Sequence, residues 1–352
     1  MSYIKLDSGS EFEGRPIEYY KMSCGPVDVM LCTFGGGLRG IYLPVGDEKR
    51  NIIVRFAHEE EYFGHKTWTG AVIAPNAGRI AELGKDPVLH IDGTDYVLSK
   101  NERGLNNLHG GFKNTMNSLW DLYKAEDRGE DGARIVFKIE LPDGLEGWPG
   151  NRTFYADWSL DKDGLHVELS ATTDKKTYVN PTVHPFFNLS GDYTISAHKD
   201  LYTLKASRYI PNKLPETVPQ PAQPVEGTAF DLRHGRSITS LEDMGDPEIN
   251  AARHAFNNAF LLDEADGPQL HIESADSGLA VDITTDGDTM VICSARFFEG
   301  VELENGVIGI PEAGVASEFQ DIVNEPNARP DTCHWLVPGE VYRRKIDFKF
   351  TY

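Results

Sequence analysis

Ile135-Val136-Phe137-Lys138-Ile139-Glu140-Leu141 alternates with a period of two: Ile135, Phe137, Ile139 and Leu141 are apolar, with Val136, Lys138 and Glu140 between them. Side chains on an extended backbone point to opposite faces in turn, so this stretch reads as a half-buried β-strand. The same period recurs where Leu165, Val167 and Leu169 alternate with His166, Glu168 and Ser170. It returns near the end, where Ile346, Phe348 and Phe350 alternate with Asp347, Lys349 and Thr351. The dipeptides Asp92-Gly93, Asp131-Gly132, Asp163-Gly164 and Asp286-Gly287 supply turns between such runs. Helical spacing is confined to Phe56 to Phe63 and part of Ile238 to His254. The pattern predicts an all-β protein, a large antiparallel sandwich with few short helices.

The chain has 352 residues, a length that by itself suggests about two domains, although all-β folds often exceed that norm as one unit. Arg208 to Gly227 holds five prolines and reads either as an inter-domain linker or as a long surface loop. No internal repeat is evident. With 34 basic and 55 acidic residues the net charge is −21. That balance argues against nucleic acid, disfavours a polyanionic substrate and suits a soluble cytoplasmic protein. Cys24, Cys32, Cys293 and Cys333 show no C-x-x-C spacing and are expected as reduced, mostly buried thiols rather than a zinc site or disulfides. Met1 to Gly14 lacks the basic start and apolar run of a signal peptide. No apolar stretch approaches the ~18 residues of a membrane span.

Val179-Asn180-Pro181-Thr182-Val183-His184-Pro185-Phe186-Phe187-Asn188-Leu189 is the segment richest in chemistry. Read as a strand, it puts Thr182, His184, Phe186 and Asn188 on one face and Val183, Phe187 and Leu189 on the other. The second set reads as core. The first offers an imidazole, a hydroxyl, an amide and a ring to a polyhydroxy ligand. Pro185 pushes His184 into extended geometry.

Further segments accompany it: Pro75-Asn76-Ala77-Gly78-Arg79-Ile80, Asn107-Leu108-His109-Gly110-Gly111-Phe112, Gly147-Trp148-Pro149-Gly150-Asn151 and Ser317-Glu318-Phe319-Gln320. In this order they resemble the aldose 1-epimerases, the galactose mutarotases. That family carries Asn-Arg-Ile, Leu-His-Gly-Gly, Tyr-Pro-Gly-Asn, Asn-x-Thr-x-His-x-x-Phe-Asn-Leu and Leu-Glu-x-Gln segments. The similarity runs from about residue 20 to Pro338-Gly339-Glu340-x-Tyr342. Each motif alone is weak, but five in register are hard to obtain by chance. The resemblance implies a single antiparallel β-supersandwich domain over 1–352. It also implies interconversion of the α- and β-anomers of a free monosaccharide such as galactose or glucose, with no metal and no organic cofactor. Carried over by position, Glu318 is the general base, His184 the general acid, and Arg79, His109 and Asn257 contact substrate. Because the three chemistry-bearing positions span the proline-rich stretch, a domain cut there is rejected.

These residue types suit ring opening. One group takes the proton of the anomeric hydroxyl while another protonates the ring oxygen, and the roles then reverse. A carboxylate and a histidine form a natural pair for this, while arginine and a second histidine can hold hydroxyls. Each residue also has a plainer reading: His184 as a satisfied strand histidine, His109 as a turn residue, Glu318 as a solvated carboxylate, and Arg79 as half of a surface ion pair. His65, His90, His166 and His198 have no constellation and are expected at the surface. The five tryptophans read first as core, as large rings usually are, with Trp68, close before the Arg79 segment, the candidate for stacking on a sugar ring. Gly35-Gly36-Gly37-Leu38-Arg39-Gly40 fits G-x-G-x-x-G, yet the strand-like Ile41-Tyr42-Leu43-Pro44 follows it instead of a helix, so it reads as a turn. His109-Gly110-Gly111 resembles an esterase oxyanion loop, but no G-x-S-x-G accompanies it.

The chain departs from the family in three places. Asn257 stands where the family has an aspartate, Cys293 where many members carry an aromatic residue, and Gly78 replaces the asparagine before the arginine. These put the sugar in question more than the reaction. The competing functions are a sugar-phosphate isomerase, which would want clustered cations beyond Arg79, a silent sugar-binding or regulatory domain, and a glycoside hydrolase, which would want a second carboxylate beside Glu318.

Overall fold

The alternating runs are strands in the computed structural model, which describes all residues except 65–66, 212–220, 239–244, 252–254 and 295. Ala133–Leu141, Arg152–Asp161, Gly164–Thr173 and Tyr342–Thr351 lie side by side within a nine-stranded sheet. Their register aligns Ile135, Trp158, Val167 and Ile346 in one buried row across four strands. A slip of one residue would turn that row to the opposite face, so the apolar period fixes the pairing. An N-terminal five-stranded meander (Tyr3–Phe12, Arg15–Cys24, Val27–Cys32, Gly37–Val45, Glu48–Asn51) and a six-stranded sheet complete the main layers. All of the named strand pairs are antiparallel.

One large core joins the three sheets. It takes Val29, Leu31 and Ile41 from the first, Ile135, Phe137 and Trp158 from the second, and Phe187, Phe260, Ile292 and Phe319 from the third. Each such side chain contributes about 1.5–3 kcal/mol on burial, most of it offset by the entropy of ordering the chain. Trp120, Trp148 and Trp158 are fully buried core residues.

The turn dipeptides do two different jobs. Asp92 and Gly93, at φ of 49° and 81°, close a two-residue hairpin between Val88–Ile91 and Thr94–Val97. Asp286-Gly287 instead carries the chain from Ala280–Thr285 in the nine-stranded sheet to Thr289–Cys293 in the six-stranded one. Gly35-Gly36 is a turn, as read: Gly36 (φ 55°) lies against the Trp120 ring, and Gly37–Val45 follows as a strand. Within Phe56 to Phe63 only Glu59–Tyr62 is helical, as a 3-10 turn. Within Ile238 to His254 the described helix is Pro247–Ala251, and residues 239–244 and 252–254 lie outside the described set. Arg208–Ile210 and Gln223–Pro224 pair with one another at the edge of the six-stranded sheet.

All four cysteines are buried free thiols. No described helix is long and apolar enough to cross a membrane. The surface expectation fails for His198, which is buried in the 3-10 turn Ala197–Lys199. His65 lies outside the described residues.

A buried ion pair fixes the segment that leads into the cavity described next. Arg39 holds Glu59 through Nε at 3.1 Å and Nη2 at 2.6 Å, and the Tyr19 hydroxyl donates to the same carboxylate at 2.7 Å. The guanidinium also covers the Tyr62 ring at 3.8 Å. Both charges are almost fully excluded from solvent.

Candidate active site

His184 lies where the chain passes from one strand pair to another. Thr182–Val183 pairs with Val72–Ile73, whereas Phe186–Phe187 pairs with Val315–Gln320 of the six-stranded sheet. Pro185, which has no N–H to donate, separates them. The His184 backbone is held at both ends of its peptide: its N–H donates to Ala71 O at 3.0 Å and its carbonyl accepts from Gly70 N at 2.8 Å.

This hand-off breaks the expected two-faced strand. Thr182 is buried and donates to Phe319 O at 2.7 Å, Asn188 donates to Ala313 O at 2.8 Å, and Phe186 packs on Phe298. Of the four residues assigned to a ligand face, only His184 lines the cavity. The others hold the backbone and core in place, because alternation is not carried across a change of partner strand.

Arg79 and His109 arrive as a zipped pair. Arg79–Ile80 and Asn107–Leu108 are antiparallel partners, with Leu108 opposite Arg79. Beyond them His109 N donates to Gly78 O at 2.9 Å, and Gly78 N donates to His109 Nδ1 at 3.1 Å. An Nδ1 that accepts carries no proton, so the proton of the neutral ring sits on Nε2. Burial, the largest influence, takes the His109 pKa down to about 3. His109 is therefore a neutral donor at ordinary pH. Its φ of 51° and that of Trp68, 48°, are left-handed and cost on the order of 1 kcal/mol or more each. Gly110 follows without a Cβ because one would meet Pro75 and the Ala74 carbonyl.

Glu318 comes from the fully buried strand Val315–Gln320. Its carboxylate Oε1 is 3.3 Å from His184 Nε2, and donor atoms of His109, His184 and Glu318 all lie within 4.8 Å of one another. Burial pushes the Glu318 carboxyl up, but the neighbouring His184, through charge and hydrogen bond, together with Arg79, outweighs it and holds the group below its usual 4.5. The His184 ring is edge-on to His109, with centroids 5.7 Å apart, and sits 6.4 Å from Trp68. Trp68 in turn lies 4.8 Å from His109.

Around these groups is a cavity of about 630 Å³ that also takes in Asn257 and Cys293, which face each other on adjacent strands. Arg79 reaches it in an unforeseen state. Its Nε and Nη2 bind Glu102 at 2.7 and 2.6 Å, with both side chains about one-seventh exposed. Glu102 had no legible signal, since Asn101-Glu102-Arg103 is an unpatterned polar run and only the fold sets it beside Arg79. Asn101, Asn114, Asn117 and Phe297 also line the cavity and were likewise missed.

The donor set of two imidazoles and one carboxylate suits proton transfer over a short distance, and the same set is chemically able to bind a divalent cation.

Comparison with known proteins matches residues 20–349 to the aldose 1-epimerase family model. The galactose mutarotase of Homo sapiens is 30% identical over 347 residues, covering 96% of this chain and 95% of that one. The aldose 1-epimerase of Escherichia coli K12 is 28% identical over 331 residues, covering 92% and 91%. A galactose 1-epimerase structure from Lactobacillus acidophilus superposes with a TM-score of 0.86 over 99% of this chain and 98% of that one, at 24% identity, a likeness of fold. With five sequence segments, a shared sandwich and a family match across nearly its whole length, this chain belongs to the aldose 1-epimerase family.

Proposed function

We propose that this protein accelerates the interconversion of the α- and β-anomers of a free aldose, acting as one unit over residues 1–352. The observation that carries the reading is the 3.3 Å between His184 Nε2 and Glu318 Oε1. The anomeric hydroxyl and the ring oxygen are bonded to the same carbon, so an acid and a base that serve them must themselves stand a few ångströms apart. In this reading Glu318, already a carboxylate, accepts the proton of the anomeric hydroxyl. His184 donates to the ring oxygen as the C1–O5 bond opens. Rotation about C1–C2 presents the other face of the aldehyde, and on reclosure His184 takes the proton of the attacking O5 hydroxyl while Glu318 gives its proton to the former carbonyl oxygen. Each positioned acid or base contributes typically about 10²–10⁴-fold. His109 Nε2–H, Arg79 held by Glu102, and Asn257 bind hydroxyls and keep the ring in place. The hemiacetal opens by proton transfer alone, so the reaction calls for no metal or organic cofactor. The four free thiols favour a reducing compartment such as the cytoplasm.

The test is polarimetry of freshly dissolved α-D-galactose and α-D-glucose, with the buffer rate subtracted. Wild-type protein accelerates the approach to equilibrium. Glu318→Gln and His184→Asn, folded by circular dichroism, lose at least about a hundredfold in kcat. A wild-type rate in either variant removes that residue from its role.

A further inference from the structure

Glu318 stands between two unlike neighbours on the six-stranded sheet. Phe186 is directly opposite Ala316, and Ser317 N donates to Pro185 O at 3.3 Å, so His184 flanks Glu318 on one side. On the other side Val291 is directly opposite Glu318, Ala259 opposite Val291, and Ile210 opposite Ala259. Residues directly paired across antiparallel strands project from the same face, and His184, Glu318, Val291, Ala259 and Ile210 all line the cavity. At ~4.8 Å between strands, the aliphatic row runs roughly 14 Å from Glu318. Val323 packs against this row and also lines the cavity. Cys293 and Asn257 form the neighbouring row, two residues along their strands from Val291 and Ala259 and therefore on the same face. By these spacings the Asn257 backbone lies about 12 Å from that of Glu318, beyond Val291 and to one side of Ala259.

This placement bears on which aldose the site takes. The ring oxygen and C2 are the two ring neighbours of C1. With the ring oxygen at His184 and the anomeric hydroxyl at Glu318, C2 lies on the far side of C1 from His184, and its substituent turns to Val291 and Ala259. A hydroxyl in that place ends one bond from the ring against aliphatic side chains, and it loses water that they do not replace. An acetamido group reaches further. Its methyl, trans to C2 across the amide bond, extends onto Val291 and Ala259 and buries apolar surface there. Its carbonyl projects to one side of that line, where the Asn257 amide N–H can donate to it. The cavity of about 630 Å³ has room for this group beside the ring. We infer that the preferred substrate is a 2-acetamido-2-deoxyaldose, its acetyl methyl resting on Val291 and Ala259 and its carbonyl bonded to Asn257. The inference rests on the mutarotase reading above.

The experiment compares kcat/KM by polarimetry for D-glucose, 2-deoxy-D-glucose, N-formyl-D-glucosamine and N-acetyl-D-glucosamine, which carry a hydroxyl, hydrogen, formamido and acetamido group at C2. D-Galactose and N-acetyl-D-galactosamine run in parallel. The N-acetyl sugar is expected to lead its parent by about tenfold or more in at least one pair, with the N-formyl sugar, which lacks the methyl, between. Ala259→Leu fills the space of the methyl, and Asn257→Asp keeps the shape of the amide but sets a charge in place of its donor. Each variant, folded by circular dichroism, should narrow the ratio severalfold. Parent hexoses turned over as well as or better than the N-acetyl sugars overturn the inference and leave the mutarotase reading standing. A lead shared equally by 2-deoxy-D-glucose overturns the acetamido assignment, because the row would then only reject a hydroxyl. A preference unmoved in both variants removes this wall as its cause. Failure to accelerate any sugar overturns both readings.

Discussion

Replacing Glu102 by glutamine keeps the side chain's shape but removes its charge and turns one of its two Arg79 contacts into a donor facing a donor. The pair is largely enclosed, and Glu102 also accepts from Asn106 Nδ2 at 2.9 Å. A charge-assisted hydrogen bond contributes about 1.5–3 kcal/mol. With one face open to the cavity, about 2 kcal/mol is the appropriate loss. Across 352 residues, an unfolding entropy of ~2.1 cal/mol/K per residue converts this to a fall of about 3 °C in Tm. The freed guanidinium no longer holds one position over the cavity, so KM rises about tenfold. Because Glu318 and His184 are untouched, kcat stays within about threefold. Scanning fluorimetry reads the first effect and polarimetric progress curves the second. Arg79→Gln and Glu102→Gln should also couple in a double-mutant cycle by more than ~0.5 kcal/mol. Wild-type KM and Tm in Glu102→Gln, or strict additivity with Arg79→Gln, would refute the idea that Glu102 positions the arginine.

Three further outcomes are expected. His109 has a folded pKa near 3 and an unfolded one near 6.5, so between those values the unfolded chain binds a proton that the folded one refuses. Stability should therefore fall by about 1.4 kcal/mol per pH unit from this group as pH drops from 6.5, and urea midpoints of His109→Gln should lack that slope. Glu102 runs under the carboxylate rule: burial raises its pKa but Arg79 lowers it further, so the net is below 4.5. Its contribution is complete above pH 4.5 and lost as pH falls through the lower folded value, which acid titration of wild type against Glu102→Gln will show. Glu59→Gln leaves the Arg39 charge almost fully buried with neutral partners alone, the new amide and the Phe34 carbonyl that accepts from Nη2, and it should cost about 3 kcal/mol in guanidinium unfolding. A variant as stable as wild type would show that the pair does not anchor this segment.

The sandwich was legible because Ile135, Val167 and Ile346 each sit in a strict alternation, and cross-strand burial requires it. His184, Glu318, His109 and Arg79 were legible through their motifs, and the structure gathers all four around one cavity. The face assigned to Thr182, Phe186 and Asn188 was not, because alternation holds only while a strand keeps one partner, and this one changes partner at Pro185. Glu102 and the Val291–Ala259–Ile210 row escaped for another reason. Their significance depends on which strands lie beside which, and pairing between residues this distant leaves no local mark. His198 was misplaced because a single polar residue in a short turn carries no periodicity to show which side of the sheet it faces.

The change of partner at Pro185 also has a kinetic side. The long meander from Ala133 to Thr173 closes through contacts between chain neighbours, and such contacts form early. His109, His184 and Glu318 are 75 and 134 positions apart, and His184 takes its place only when strands on both sides of that seam have docked. Loop-closure entropy opposes that step until the sheets meet. A refolding chain therefore recovers its strand signal in circular dichroism first and its sugar turnover later, and the interval between the two reports how long the seam takes to close.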